Sequence, residues 1–202
     1  MIKDFLIINC TGKNNSIALK VDNKFFFKKL QTNLTKNEML ALDVLSFFKE
    51  KNAKIDNKLS ILVNSGPGSF SSVRIALAVT KGIQLVYKLN VYSYNYFLLY
   101  AAPYLNNNIK IISIQKTNNF YYYSESNFKD HPAFTIPRKI NTACLQQKNC
   151  IIVLPQEIAK DEIFKHISAK KIKIEQFNLR NVETLIENNL LENKLIKPLY
   201  LS

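Results

Sequence analysis

One stretch constrains this chain more than any other. Residues 64–82 read NSGPGSFSSVRIALAVTKG and hold three of the four glycines in 202 residues. The short apolar run Ser60 to Asn64 predicts a buried strand, and the residues from Phe70 to Tyr87 predict a helix. In that helix the long polar side chains are Arg74, Lys81 and Gln84, while Val73, Ile75, Leu77, Val79, Ile83, Leu85 and Val86 surround the axis. A helix apolar all round is covered on more than one side. Its own sheet supplies one cover; the other has to be a neighbouring helix or a partner chain. Ser71, Ala78 and Gly82 form one row of small residues, and Ser72, Ala76 and Thr80 a second. Rows at this spacing lie along one side of a helix and let another helix come close. The alternative is a central core helix of a single protein.

Three readings compete for the loop Ser65-Gly66-Pro67-Gly68-Ser69-Phe70. A phosphate-binding P-loop needs a Lys-Ser or Lys-Thr after its second glycine, and none follows here. A nucleophile elbow of the form G-x-S-x-G is missing its spacing, and His131 and His166 offer no evident partner for a serine. A structural strand-to-helix turn suits the residues better: the glycines permit unusual backbone or close approach, Pro67 stiffens the bend and Ser69 caps the helix. The free N–H groups of such a helix start can still hold an anion.

The net charge of +13 invites a nucleic-acid role. The basic residues, however, are nearly all lysine, with arginine only at 74, 138 and 180. Lys, Asn, Ile, Phe and Tyr rise together, as an AT-rich coding sequence produces, and the lysines form no long run. Cys10, Cys144 and Cys150 are odd in number and form no CxxC pair, which argues against a disulfide framework or a zinc site. No apolar run approaches the roughly 20 residues of a membrane span, and MIKDFLIINC reads as a first strand rather than a signal segment, so a cytoplasmic protein is expected.

The remaining elements are consistent with an α/β protein. Phe5 to Ile8, Ile17 to Val21 and Lys24 to Lys29 predict an antiparallel meander with Asp22-Asn23 as its hairpin turn. Thr35 to Lys51 predicts a helix with Met39, Leu40, Leu42, Val44, Leu45, Phe47 and Phe48 in register, opened by a Thr35/Glu38 capping box. After the glycine helix come a strand at Asn90 to Ser93 and a helix at Tyr94 to Tyr104. In the second half, strands are expected at Lys110 to Gln115, Asn119 to Ser126, Cys150 to Leu154 and Ile172 to Phe177. Helices are expected at Gln156 to Ile167 and Val182 to Asn193, with loop from Phe128 to Lys148. The lobes are expected at 1–104 and 105–202, with mixed sheets and helices on their faces.

Gly66, Pro67, Gly68, Ser69, Phe70, Val73, Arg74 and Ile75, set between their strands, resemble the G-P-G-S-F-T-G-[LV]-R-I-G motif of the TsaB (YeaZ) family. Ile7-Ile8-Asn9-Cys10-Thr11, Ser16-Ile17-Ala18-Leu19 and the stretch Lys197-Pro198-Leu199-Tyr200-Leu201 agree as well. The resemblance is firm over about residues 1–104. It implies an actin-like ATPase fold class with two ribonuclease H-like lobes. It also implies a non-catalytic subunit of tRNA threonylcarbamoyladenosine synthesis that stabilises a TsaD-like threonylcarbamoyltransferase through its first two helices, with a TsaE-like ATPase in the complex and tRNA contacted indirectly. No cofactor or metal is expected. Asn9 stands where the fold class uses an acid to hold a metal through water, and no H-x-x-x-H occurs. Partner-contact residues are expected at Ser72, Arg74, Ala76, Ala78, Val79, Thr80, Gly82 and Ile83, with Met39 and Leu42 on the companion helix; a homodimer is expected when the chain is alone. Departures lie at Ser71, Ser72 and Ala76, at Thr35-Lys36-Asn37-Glu38 and from Gln115 to Tyr122. Two other readings stand beside this one: a kinase-like or peptidase-like enzyme of the same fold, and a basic RNA-binding module.

Overall fold

The computed structural model describes residues 2–10, 15–30, 39–105, 109–117, 119–127, 133–193 and 197–201. The capping box at Thr35 and Glu38, the turn at Gly12, and His131 lie outside the described residues.

The chain forms two compact units, residues 1–95 with 191–200 and residues 96–190 with 201–202. In the first, β1 (Phe5–Asn9), β2 (Ser16–Val21) and β3 (Lys24–Lys29) make the expected antiparallel meander. Asp22 and Asn23 both sit at positive φ, 50° and 61°, the left-handed pair that a two-residue hairpin turn requires. The chain then crosses through α1 (Leu40–Glu50) to β4 (Ser60–Asn64), parallel to β1, and through α2 (Phe70–Tyr87) to β5 (Asn90–Tyr94), parallel to β4. The sheet order is β3-β2-β1-β4-β5. Strands β1 and β4 are buried along their whole length, which explains why they read as continuous apolar runs. One face of the sheet packs Leu6, Ile8, Ile61 and Val63 against Val44, Phe47 and Phe48 of α1 and Ala76 and Ile83 of α2. The described α-helix begins at Leu40, with no side-chain cap from Met39.

The second unit begins with α3 (Tyr96–Ala101) and a 3-10 turn at Ala102–Tyr104. Next, β6 (Lys110–Thr117) and β7 (Phe120–Asn127) form a hairpin, while β10 (Cys150–Pro155) and β11 (Ile172–Glu175) run parallel to β6. The segment expected as loop contains β8 (Ala133–Phe134) and β9 (Arg138–Lys139), both paired with β7, and α4 (Thr142–Gln146), capped by Asn141. Elements this short show no hydrophobic period. The helix expected at Gln156 to Ile167 is instead a chain of i→i−3 turns with a 3-10 piece at Glu162–Phe164. Only Ile158 and Phe164 there are buried hydrophobics, so no helical stripe is present to reward a full helix. The last helix, α5 (Leu179–Glu187), starts three residues earlier than expected because Asn178 caps it, accepting from the Arg180 N–H. After α5 the chain returns to the first unit. Glu192 and Ser93 exchange backbone hydrogen bonds, and the Leu199 N–H donates to Ser65 O at 2.8 Å.

Among the described residues, no helix is long and apolar enough to cross a membrane.

Candidate partner-binding site

The site is built where β4 turns into α2. Asn64 closes the strand: its side-chain amide donates to Asn9 Oδ1 at 3.0 Å, and its own Oδ1 accepts from the Gly66 N–H at 2.9 Å. Ser65 is held to Tyr94 O through both its N–H and its hydroxyl, at 2.8 and 3.1 Å. Gly66 then takes φ +122°, a region that L side chains rarely adopt, and a Cβ placed there would lie 3.0 Å from Leu199 O. Both reasons for a glycine apply at this position: the backbone angle and the close approach of the returning segment. The Gly66–Pro67 peptide is cis. Ser69 caps α2 as expected, accepting from the Ser72 N–H at 3.2 Å and sharing a 2.6 Å hydroxyl contact with Ser72. At the other end Lys88 adopts φ 55°, and its N–H returns to Gln84 O.

The helix between these caps has two faces. Val73, Ala76, Thr80 and Ile83 are buried in the first unit. Ser71, Arg74, Ala78, Lys81, Gly82, Leu85 and Val86 are exposed, Leu85 and Val86 at 70% and 72%. The two rows of small residues therefore do different things. The row of Ala76 and Thr80 faces the chain's own core, with Ser72 half-buried at its start. The row of Ser71, Ala78 and Gly82 faces out. Of the residues expected to meet a partner, Ala76, Thr80 and Ile83 are thus occupied within the unit, and Ser72 and Val79 are half-buried. Ala78, Gly82 and Arg74 are exposed, as are Met39 just before α1 and Leu42 on it, where Leu45 joins them.

Gly82 is informative by its surroundings. Among the described residues, a Cβ built there meets no heavy atom within 4 Å. Nothing among the described residues asks for a glycine in this exposed helix interior, where it costs about 1 kcal/mol relative to alanine.

Arg74 does not stand alone in water. Its guanidinium lies 4.9 Å from the centre of the Phe70 ring, and the Phe70 ring stacks on Tyr200 with centroids 5.2 Å apart. Phe70 and Tyr200 remain 57% and 52% exposed. Among the described residues Arg74 has no carboxylate partner, and α2 carries no acidic residue. The sequence does not disclose this ladder: Tyr200 belongs there only to the stretch Lys197-Pro198-Leu199-Tyr200-Leu201 of the resemblance, and nothing in spacing places it over Phe70.

The titratable groups describe a quiet surface. Burial pushes the Cys10 thiol up to about 12, and burial also raises Cys144 and Cys150. In the second unit Asp161 accepts from the Tyr121 hydroxyl at 2.6 Å and from Lys116 at 2.9 Å, and these contacts hold its carboxyl below the ordinary range. Among the described residues, no three His, Cys, Asp or Glu side chains gather into a set that could hold a metal ion.

No protein-family model matches the chain. Over 136 residues, covering 63% of this chain, it is 33% identical to the tRNA threonylcarbamoyladenosine biosynthesis protein TsaB of Buchnera aphidicola subsp. Baizongia pistaciae; the match spans 61% of that relative's length. In fold it is similar to YeaZ from Pseudomonas aeruginosa, with a TM-score of 0.70, 13% identity, and coverage of 98% of this chain and 100% of that one. A Bacteroides thetaiotaomicron protein of actin-like ATPase fold and unknown function has a TM-score of 0.50, 10% identity, and coverage of 92% and 96%. The fold class is therefore the expected actin-like one, and both comparisons agree with the TsaB (YeaZ) resemblance carried by the motif loop.

Proposed function

We propose that this chain is a TsaB-type subunit of tRNA threonylcarbamoyladenosine biosynthesis, and that it works by binding and stabilising a TsaD-like transferase subunit. The sequence match to a protein of that name supports the pathway. The observation that carries the mode of action is the outward face of α2. Ala78, Gly82, Leu85 and Val86 form an apolar surface with a glycine that nothing among the described residues requires, and Met39 before α1 and Leu42 and Leu45 on it are exposed as well. Contiguous exposed apolar surface of this kind is a mark of an interaction site. A TsaE-like ATPase joins the assembly in this reading, tRNA is contacted indirectly, and the complex works in the cytoplasm.

The subunit is proposed to be non-catalytic. At the carboxyl ends of β1 and β4, where open α/β sheets place their ligands, the paired side chains are Asn9 and Asn64. A pair of amides supplies neither a base nor a charged metal anchor. An enzyme reading would require ATP-dependent turnover by the chain itself, abolished by changing one acidic residue.

The test is co-purification with the TsaD-like protein from the same genome, comparing wild type with Ala78→Glu. A stable complex lost in the variant supports the proposal. A complex that survives charges at both Ala78 and Gly82 sinks the assignment of this face, and failure of the wild type to associate sinks the proposal as a whole.

A further inference from the structure

The ladder of Arg74, Phe70 and Tyr200 stands at the start of α2, on the flank of its exposed apolar face. It is assembled from two parts of the chain that lie far apart in sequence. Gly66 admits Leu199, the Leu199 N–H is held by Ser65, and Tyr200 is thereby laid on Phe70. Phe70 in turn lies under the Arg74 guanidinium. An arginine arranged in this way is pre-positioned, and less side-chain freedom is lost when it makes a further bond.

We infer that this ladder is the charged anchor of the docking surface: Arg74 pairs with a carboxylate of the partner subunit, and Tyr200 is a positioning residue that holds Phe70 and Arg74 for it. The inference rests on the proposed association through α2. Charge selects the occupant. The cations on and just after α2 are Arg74, Lys81 and Lys88, with no acid among them. A second copy of this helix brings only like charge to Arg74. The acids of α1, Asp43 and Glu50, already face Lys28 at 3.6 and 3.5 Å. A different protein that presents a carboxylate beside an apolar helix face complements Arg74, which a second copy of α2 does not. Arginine and tyrosine are also among the residue types enriched at the hot spots of protein interfaces.

The experiment measures affinity between the full chain and the TsaD-like subunit at low and high salt. It compares wild type with Arg74→Gln, Tyr200→Ala, Tyr200→Phe and the double variant Arg74→Gln/Tyr200→Ala. Arg74→Gln is expected to weaken binding about tenfold and to flatten its salt dependence. Tyr200→Ala is expected to weaken it several-fold, while Tyr200→Phe, which keeps the ring, binds as wild type. Because Tyr200 acts through Arg74, the double variant is expected to lose less than the product of the single losses. Should Tyr200→Ala impair folding, as a thermal melt would reveal, the Arg74→Gln salt profile and Tyr200→Phe decide the matter. If Arg74→Gln binds within about twofold of wild type with an unchanged salt slope, the inference is overturned. If Ala78→Glu still abolishes that binding, the association through α2 stands without the ladder. A stable homodimer weakened by Arg74→Gln would give the ladder a second copy as its occupant and overturn the choice of partner.

Discussion

Replacing Gly82 by alanine should make the free protein more stable and the assembly weaker. Gly82 lies in the interior of α2, exposed, with helical neighbours on both sides. A Cβ there meets no heavy atom within 4 Å among the described residues, so alanine introduces no clash and gains no packing. What remains is the backbone effect: alanine favours an exposed helix interior by about 0.8–1.0 kcal/mol over glycine. For a chain of this size that corresponds to about 2–4 °C in Tm, readable by urea or thermal unfolding of the isolated protein. Association should move the other way. Helix axes pack 8–10 Å apart, the shorter distances requiring small residues. Gly82→Leu adds an isobutyl group at that contact and should lower affinity for the TsaD-like subunit by at least about tenfold without destabilising the free chain. If Gly82→Ala is neutral or destabilising, the glycine serves the fold after all. If Gly82→Leu associates like wild type, no partner approaches α2 at this point.

Four further outcomes are expected. Ala76→Glu and Ala78→Glu should separate cleanly: the first puts a charge into the core of the first unit and should abolish its cooperative unfolding transition, whereas the second should leave stability within about 0.5 kcal/mol and remove association. Gly66→Ala forces a side chain into φ +122° and against Leu199 O, and should cost about 1–3 kcal/mol in a urea titration; a neutral result would contradict the close approach. Asp161 has a depressed carboxyl pKa, so its contribution is complete above the unfolded value and is lost as pH falls through the folded one. Asp161→Asn should therefore flatten the loss of stability as pH falls below the ordinary aspartate range, and an unchanged acid slope would refute the role of Tyr121 and Lys116. Finally, Cys10, Cys144 and Cys150 are buried with raised pKa values, so a thiol reagent at pH 8 should label none of them until denaturant is added.

The sequence carries the first unit well because its elements have strong local signals. Asp22-Asn23 is turn chemistry, β1 and β4 are continuous apolar runs, and Ser69 is a good cap ahead of an unbroken helix. The two sides of α2 were legible as a fact but not by assignment. Both rows of small residues have similar spacing, and which of them faces inward depends on where β1 and β4 lie beneath the helix. That information is tertiary. The ladder was hidden for a similar reason: its parts are joined by Gly66 and Leu199, a contact that no local pattern records. The second unit was harder because β8, β9 and α4 are too short to show a period. Between Gln156 and Ile167, apolar residues suggested a helix where the backbone is a run of turns fastened through Asp161.

The return of residues 191–200 to the first unit imposes an order on synthesis. The sheet β1 to β5 can form as soon as those strands leave the ribosome, but Ser93 waits for Glu192, Ser65 for Leu199 and Phe70 for Tyr200, all of which are made after residues 96–190. Until then Phe70 has no ring laid over it, and Gly66 faces an unfilled space. The start of α2 is thus made before residues 96–190 and finished after them, and a nascent chain displays it bare for as long as their translation takes. Aggregation and premature capture are hazards of that interval, and a pause within the second unit would lengthen it.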